Sequence, residues 1–444
     1  MITQENLKNF LKNLFILNFI FIVLFGRSYT GLIIFNFRLG EIIVGFLILV
    51  SLIILVLYLY NKKIFENISS LALIFSLIII SFLISLFINN GNIFNLYSLK
   101  TSSYIWIISL FFFLYLSKKY FYVDLKLDKF LPYLLFLVYI LSTIYYPEFL
   151  INIFQTFSDK FEFAKASDIF LIYVFTNISN FMNFQSKFNA LMYLFFSSAV
   201  LIPLFLFMSK GSFFPSVLFF VLVISISFEI IKRNKLKTLF IFIFSIFLFA
   251  ISTYEVFGNL TFEKSLQSIE EEELLDLNSF ADKLSNIAKE KNTTIVFGSL
   301  YISENRIYSE ELMLNWRLQI WQDIFYDAVD KNELFFGQGY NSIIRSMDVP
   351  DRKGTDGTNE NVHNYFMNIF ARAGFLQLFL FLGLIYFIYR YSSNQSKKYL
   401  LITLLCIYLT SSFDANMESV RFPFIFYTLL SAIFQFNIAS KYQE

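Results

Sequence analysis

Residues 361–391 read NVHNYFMNIFARAGFLQLFLFLGLIYFIYRY. The stretch opens polar, carries the only histidine of the chain, His363, and then turns apolar from 365 to 389. A helix that crosses a membrane needs about 20 such residues, so this one predicts a span with an imidazole at its mouth. Working outward, the same pattern of long apolar runs recurs along almost the whole chain.

Of the 444 residues, 57% are hydrophobic, 21% aromatic and only 15% charged. Soluble domains carry roughly a quarter charged residues, so this chain belongs in lipid. A net charge of +2 gives no basic field for nucleic acid. The single cysteine, Cys406, sits in an apolar run and excludes both an internal disulfide and a cysteine metal cluster. The first apolar run, after Lys8 and Lys12, lacks a small-residue cleavage site and reads as an uncleaved helix.

The pattern predicts an all-α polytopic membrane protein with about twelve spans, near 10–26, 40–60, 68–88, 101–117, 130–150, 168–185, 188–208, 212–231, 238–257, 365–389, 399–413 and 421–438. Nine form an N-terminal bundle over 1–257, a large and mostly helical loop fills 258–364, and the last three lie in 365–444. Basic residues gather at Lys62 and Lys63, at Lys118 to Lys129, at Lys232 to Lys237, and at Arg390 to Lys398. These clusters share one side only if 168–185 crosses, despite the dilution by Asp168, Asn177, Asn180 and Asn183. The positive-inside rule then makes that side cytoplasmic and puts both termini there. The turn Ser209-Lys210-Gly211, the large loop, and the connector 411–421 with Asp414, Glu418 and Arg421 fall outside; in a bacterial cell that is the periplasmic face of the inner membrane.

The large loop alone has soluble texture. Leu277, Phe280, Leu284 and Ile287 recur at helical spacing within an acidic segment, 265–290, that reads as a surface helix. Its run Glu270–Glu273 has no partnering His or Cys and is read as a solvated face rather than a metal site. A second helix is expected after Ser309 as N-cap, with Glu310 and Glu311 in its first turn and a stripe of Leu314, Leu318, Trp321, Phe325 and Ala328. Arg317 lies at the edge of that stripe and shares a face with Trp321.

His363, flanked by Asn361 and Asn364, precedes a helix start whose N–H groups and positive dipole end favour an anion. An imidazole also suits general-base work near neutral pH. Against these stand plainer readings. His363 can be structural, Arg317 with Trp321 an interfacial anchor, and Lys210 a lysine that snorkels from a tight turn. Gly337-Gln338-Gly339 lacks the strand–turn–helix setting of a phosphate loop and reads as a turn.

Taken in order, these motifs resemble the O-antigen ligases and the related O-antigen and polysaccharide polymerases of bacterial inner membranes. Arg317 followed by Trp321, Gly337 and Gly339, then His363-Asn364-Tyr365 and Gly374 stand as such proteins have them. Where the family has a Ser-Arg-Gly turn this chain has Ser209-Lys210-Gly211, which keeps the charge and loses the bidentate fork. The segment 265–290 has the look of an insertion.

The resemblance implies a glycosyltransferase that moves a glycan from a polyprenyl-pyrophosphate donor, such as an undecaprenyl one, to a hydroxyl acceptor on the periplasmic face. The acceptor is lipid A-core for a ligase, or a second lipid-linked repeat unit for a polymerase. Lys210, Arg317 and Asn364 would hold the pyrophosphate, and His363 would orient or deprotonate the acceptor. Arg317 and His363 would be catalytic, with Trp321, Gly337, Gly339 and Tyr365 in positioning roles. No metal and no cofactor is called for. Partners would be the two glycans, membrane lipids, and a flippase or chain-length regulator. A transporter of lipid-linked sugars is the reading from another class, and it expects charges near the bilayer midplane. Here the charges sit at the ends of the runs.

Overall fold

The structure, a computed structural model, describes residues 4–258 apart from 122, 124, 184 and 185, then 296–297, 299–303, 305–353 and 359–441. The acidic segment 265–290 lies outside the described residues. Helix dominates, with two small antiparallel sheets beside it. Packing divides the chain into two compact units. The first comprises Met1–Leu77, Ser102–Lys264 and Leu382–Glu444; the second comprises Ile78–Thr101 and Ser265–Phe381.

Each of the twelve expected segments contains helix, yet fewer are long and apolar enough to cross a membrane. Among the described residues seven qualify: Lys8–Thr30, Leu39–Tyr60, Lys62–Ile88, Ser103–Phe121, Lys187–Met208, Lys235–Phe257 and Tyr365–Tyr391. An eighth is counted if the pair Leu131–Thr143 and Glu148–Phe157 is one span, although the two are bent by 87°. The straight helix expected over 130–150 therefore breaks. Pro147 forces the residue before it out of helical geometry and then caps the second helix. The helices Lys210–Ile226 and Arg421–Phe434 are apolar but shorter.

Within the first unit, the helix Ala166–Asn183 is buried from Ala166 to Phe181, polar residues included. Asn177 makes sense there, because a buried amide must find partners. Asn177 Nδ2 donates to Tyr173 O at 2.9 Å and to Ser197 Oγ at 3.2 Å, while the Tyr173 hydroxyl meets Ser198 Oγ at 2.7 Å. Such side-chain bonds between apolar helices hold them in register.

At one end of this unit the charges concentrate. Arg421, 5% exposed, places Nε 2.8 Å from Asp168 Oδ2 as a charge contact and NH1 3.4 Å from Glu162 Oε2. The first helix bends at Gly26 (φ 50°), where a Cβ would lie 3.5 Å from the Arg421 chain. Next to it Arg27 and Arg38 both reach Asp159, at 2.7 and 3.2 Å. Burial alone would raise the Glu162 carboxyl, but Lys165, Arg421, Lys160 and Arg27 together hold it below its ordinary value.

Candidate functional site

In the second unit a hairpin, Leu300–Ser303 with Arg306–Ser309, leads into the helix Leu312–Asp330. Ser309 ends the hairpin, so the helix starts later than the sequence suggests. Its N-cap is Glu311, whose side chain accepts the Leu314 N–H at 3.1 Å, while the Ser309 hydroxyl accepts the Glu311 N–H. The buried face is also shifted. Ile320, Ile324 and Ala328 pack on Ile344, Met347, Val362, Phe370 and Ala371, whereas Leu314 and Leu318 are half-buried and Phe325 is exposed. The reason is tertiary: Ile344, Met347 and Val362 cover the Ile320 side, which periodicity alone does not distinguish. Asp323, on the other side, pairs with Arg306 and Arg352.

This helix fixes the approach to His363. Trp321 Nε1 donates to Val362 O at 3.0 Å, and the Trp316 ring stands edge-on to the imidazole with centroids 5.4 Å apart. On the helical wheel Arg317 falls between Trp316 and Trp321, so its position lies on the helix face that carries both tryptophans. Arg317 and His363 are both half-buried. His363 itself has φ 54°, a left-handed conformation that costs a non-glycine residue about 1–2 kcal/mol and is tolerated because its neighbours are held. Asn364 then caps the next helix, its Oδ1 accepting the Met367 N–H at 3.0 Å. Tyr365 is buried edge-on to Phe381.

That helix, Tyr365–Tyr391, is broken at Ala373 and Gly374, and the Gly-x-Gly turn is fitted into the break. Gln338 N–H donates to Ala371 O and Gly339 N–H to Arg372 O, at 2.9 and 3.0 Å. On the far side Phe375 N–H donates to Leu334 O at 2.8 Å and Leu376 N–H to Phe335 O at 3.3 Å. The carbonyls and amides freed by the kink are thereby satisfied by one turn segment, 334–339. Contact is main chain to main chain. A Cβ on Gly337 would lie 2.4 Å from Ala373 N, and one on Gly374 would lie 2.2 Å from Phe335 C. The Ser85 hydroxyl closes the join, donating toward Phe336 O and Arg372 O.

Sequence reasoning missed Arg372. It is buried in the first half of the broken helix, donates to Ser342 O and Gly339 O, and faces the Tyr97 ring at 5.8 Å. The Tyr97 hydroxyl donates to Glu360 Oε2 at 3.0 Å, and Lys100 Nζ lies 3.7 Å from the same carboxylate. Burial raises the Tyr97 phenol above its ordinary value, against the pull of Arg372. So the segment running into His363 is tied at Glu360 as well as at Val362. An arginine inside an apolar run was itself the signal.

Lys210 belongs to the first unit. It opens the helix Lys210–Ile226 after the one-residue joint at Ser209 and is exposed. Gly211 is packed there, its Cβ position 3.5 Å from Phe413 Cβ.

Residues 169–382 match the family described as O-antigen ligase. These residues belong to the O-antigen ligase family. The matched stretch takes in Lys210, Arg317, Trp321, the Gly337–Gly339 turn, the break at Gly374 and His363. It places the domain among membrane glycosyltransferases of the O-antigen ligase and polymerase type. Asp168 falls just before its start, and Arg421 lies well past its end. The curated proteins contain no match to the chain.

Proposed function

We propose that the chain transfers a glycan from a polyprenyl-pyrophosphate donor to a hydroxyl acceptor at the outer face of the inner membrane, in the manner of an O-antigen ligase acting on lipid A-core. The observation that carries this reading is the way Trp321 and Trp316, on either side of Arg317 on one helix, hold the Val362 carbonyl and the ring of His363. A guanidinium and an imidazole are thus presented from one rigid helix and one strained, pinned residue.

The chemistry asks little more. The acceptor oxygen forms a bond to the anomeric carbon, the carbon–oxygen bond to the diphosphate breaks, and the diphosphate departs with the electron pair. Negative charge grows on the leaving group, where Arg317 can offer two parallel N–H donors. The acceptor proton passes to His363, a role worth about 10²–10⁴ in rate. Asn364 spends its carbonyl oxygen on the helix cap, so only its NH2 is left to serve as a donor to the phosphate.

The test uses vesicles or cells in which the wild type transfers surface glycan. His363→Ala and Arg317→Ala, at unchanged membrane levels, are expected to abolish the product; full activity in both refutes the proposal. A glycan gel of a deletion strain separates the acceptors. Naked core supports the ligase, whereas caps of a single repeat indicate a polymerase, which would take a second lipid-linked repeat unit instead.

A further inference from the structure

The first unit contains a cavity of about 280 Å³ between the helices Ser109–Phe121, Leu131–Thr143, Ala166–Asn183 and Arg421–Lys441. Its walls are largely apolar, with Phe175 and Leu429 among them, and its rim carries Lys118, Lys126 and Lys129. The segment 118–129 holds four lysines against two aspartates, and charge bias assigns this end to the cytoplasmic face. Among the polar residues that interrupt this lining, Thr428 stands out. Thr428 is fully buried, and its hydroxyl has no hydrogen-bond partner among the described residues. Buried hydroxyls are almost always paired, so this one points to a ligand that supplies an oxygen.

We infer that this cavity is a binding site for an anionic phospholipid of the inner leaflet. Basic pockets between membrane helices on the cytoplasmic side are where lipid phosphates bind. The lysine rim would hold the phosphate, Thr428 would donate to an ester oxygen below it, and the apolar wall would take the start of one acyl chain. At ~30 Å³ per water the cavity holds about nine waters' worth of volume, room for a stretch of chain and not for a whole lipid. A free phosphate would satisfy the lysines but leave the apolar wall and Thr428 unused. Lipid binding there does not depend on the function proposed above.

The test is retention of dioleoyl-phosphatidylglycerol by the full-length protein, followed by native mass spectrometry and by titration in detergent, with dioleoyl-phosphatidylcholine as the neutral comparison. One phosphatidylglycerol is expected to stay bound to the wild type in preference to the neutral lipid. The triple variant Lys118→Gln, Lys126→Gln, Lys129→Gln should weaken retention about a hundredfold. The pair Lys62→Gln, Lys63→Gln, a basic cluster outside the cavity lining, should leave it unchanged. Thr428→Val should weaken it about fivefold. Equal retention of the two lipids, loss from the control pair as large as from the triple variant, or full competition by inorganic phosphate would overturn the inference. So would a Thr428→Val protein that melts higher and retains the lipid as before, the result an empty cavity predicts.

Discussion

Trp321→Phe isolates the hold on His363. The substitution keeps an aromatic ring against Val362 and deletes the Nε1–H that donates to Val362 O at 3.0 Å. A neutral hydrogen bond of this kind contributes about 1 kcal/mol net. The left-handed backbone of His363 costs about as much in the other direction, so the residue is held in balance and one lost bond is felt. About 1 kcal/mol corresponds to a roughly fivefold fall in the population with the imidazole in place. Turnover should fall by up to about that factor, with KM for the lipid-linked donor nearly unchanged, because Arg317 stays where it is. The assay is glycan transfer in vesicles containing equal amounts of each protein, with donor concentration varied. If Trp321→Phe turns over as wild type does while Trp321→Ala fails, ring bulk and not the hydrogen bond sets the loop, and the reasoning is refuted.

Further outcomes follow from other parts of the molecule. Lys210 is proposed as a phosphate-binding cation on motif order alone: Lys210→Arg should keep activity and Lys210→Ala lose most of it, whereas an active Ala variant returns Lys210 to a snorkelling role. Gly337→Ala places a methyl 2.4 Å from the backbone of Arg372 and Ala373 at φ 64°; it should cost more than about 2 kcal/mol and show as a lowered melting midpoint in detergent. Glu162 has its folded-state value held below the ordinary 4.5, so the unfolded chain binds that proton first. Its stabilisation is present above pH 4.5 and lost as the pH falls below it. Glu162→Gln should flatten the acid side of the melting profile and lower the midpoint at neutral pH.

Much of the architecture was legible because apolar runs of spanning length have few other readings. What periodicity could not supply was the bend before Glu148 and the choice of face on Leu312–Asp330. Both depend on what packs against the element: Leu314 and Ile320 are equally apolar in sequence, and only the covering chain decides between them. The order of Arg317, Trp321 and His363 was visible as a motif. The reason for Trp321, a bond to the carbonyl before the histidine, was not. Asp168 and Arg421 illustrate the limit most clearly. The sequence separates them by more than half the chain, and Asp168 alone looked like a flaw in a span while Arg421 read as part of an external connector; together they form a buried pair.

The join between residues 334–339 and the break at Gly374 bears on how this protein can be re-engineered. Loop and membrane helix share one hydrogen-bonded seam there, so the boundary a sequence editor would choose, just before Tyr365, runs through the middle of a structural part. A chimera that imports a foreign loop while keeping the native helix would have to match that seam main chain for main chain. Exchanges ending beyond Leu376 transplant it whole and are the ones expected to yield working hybrids.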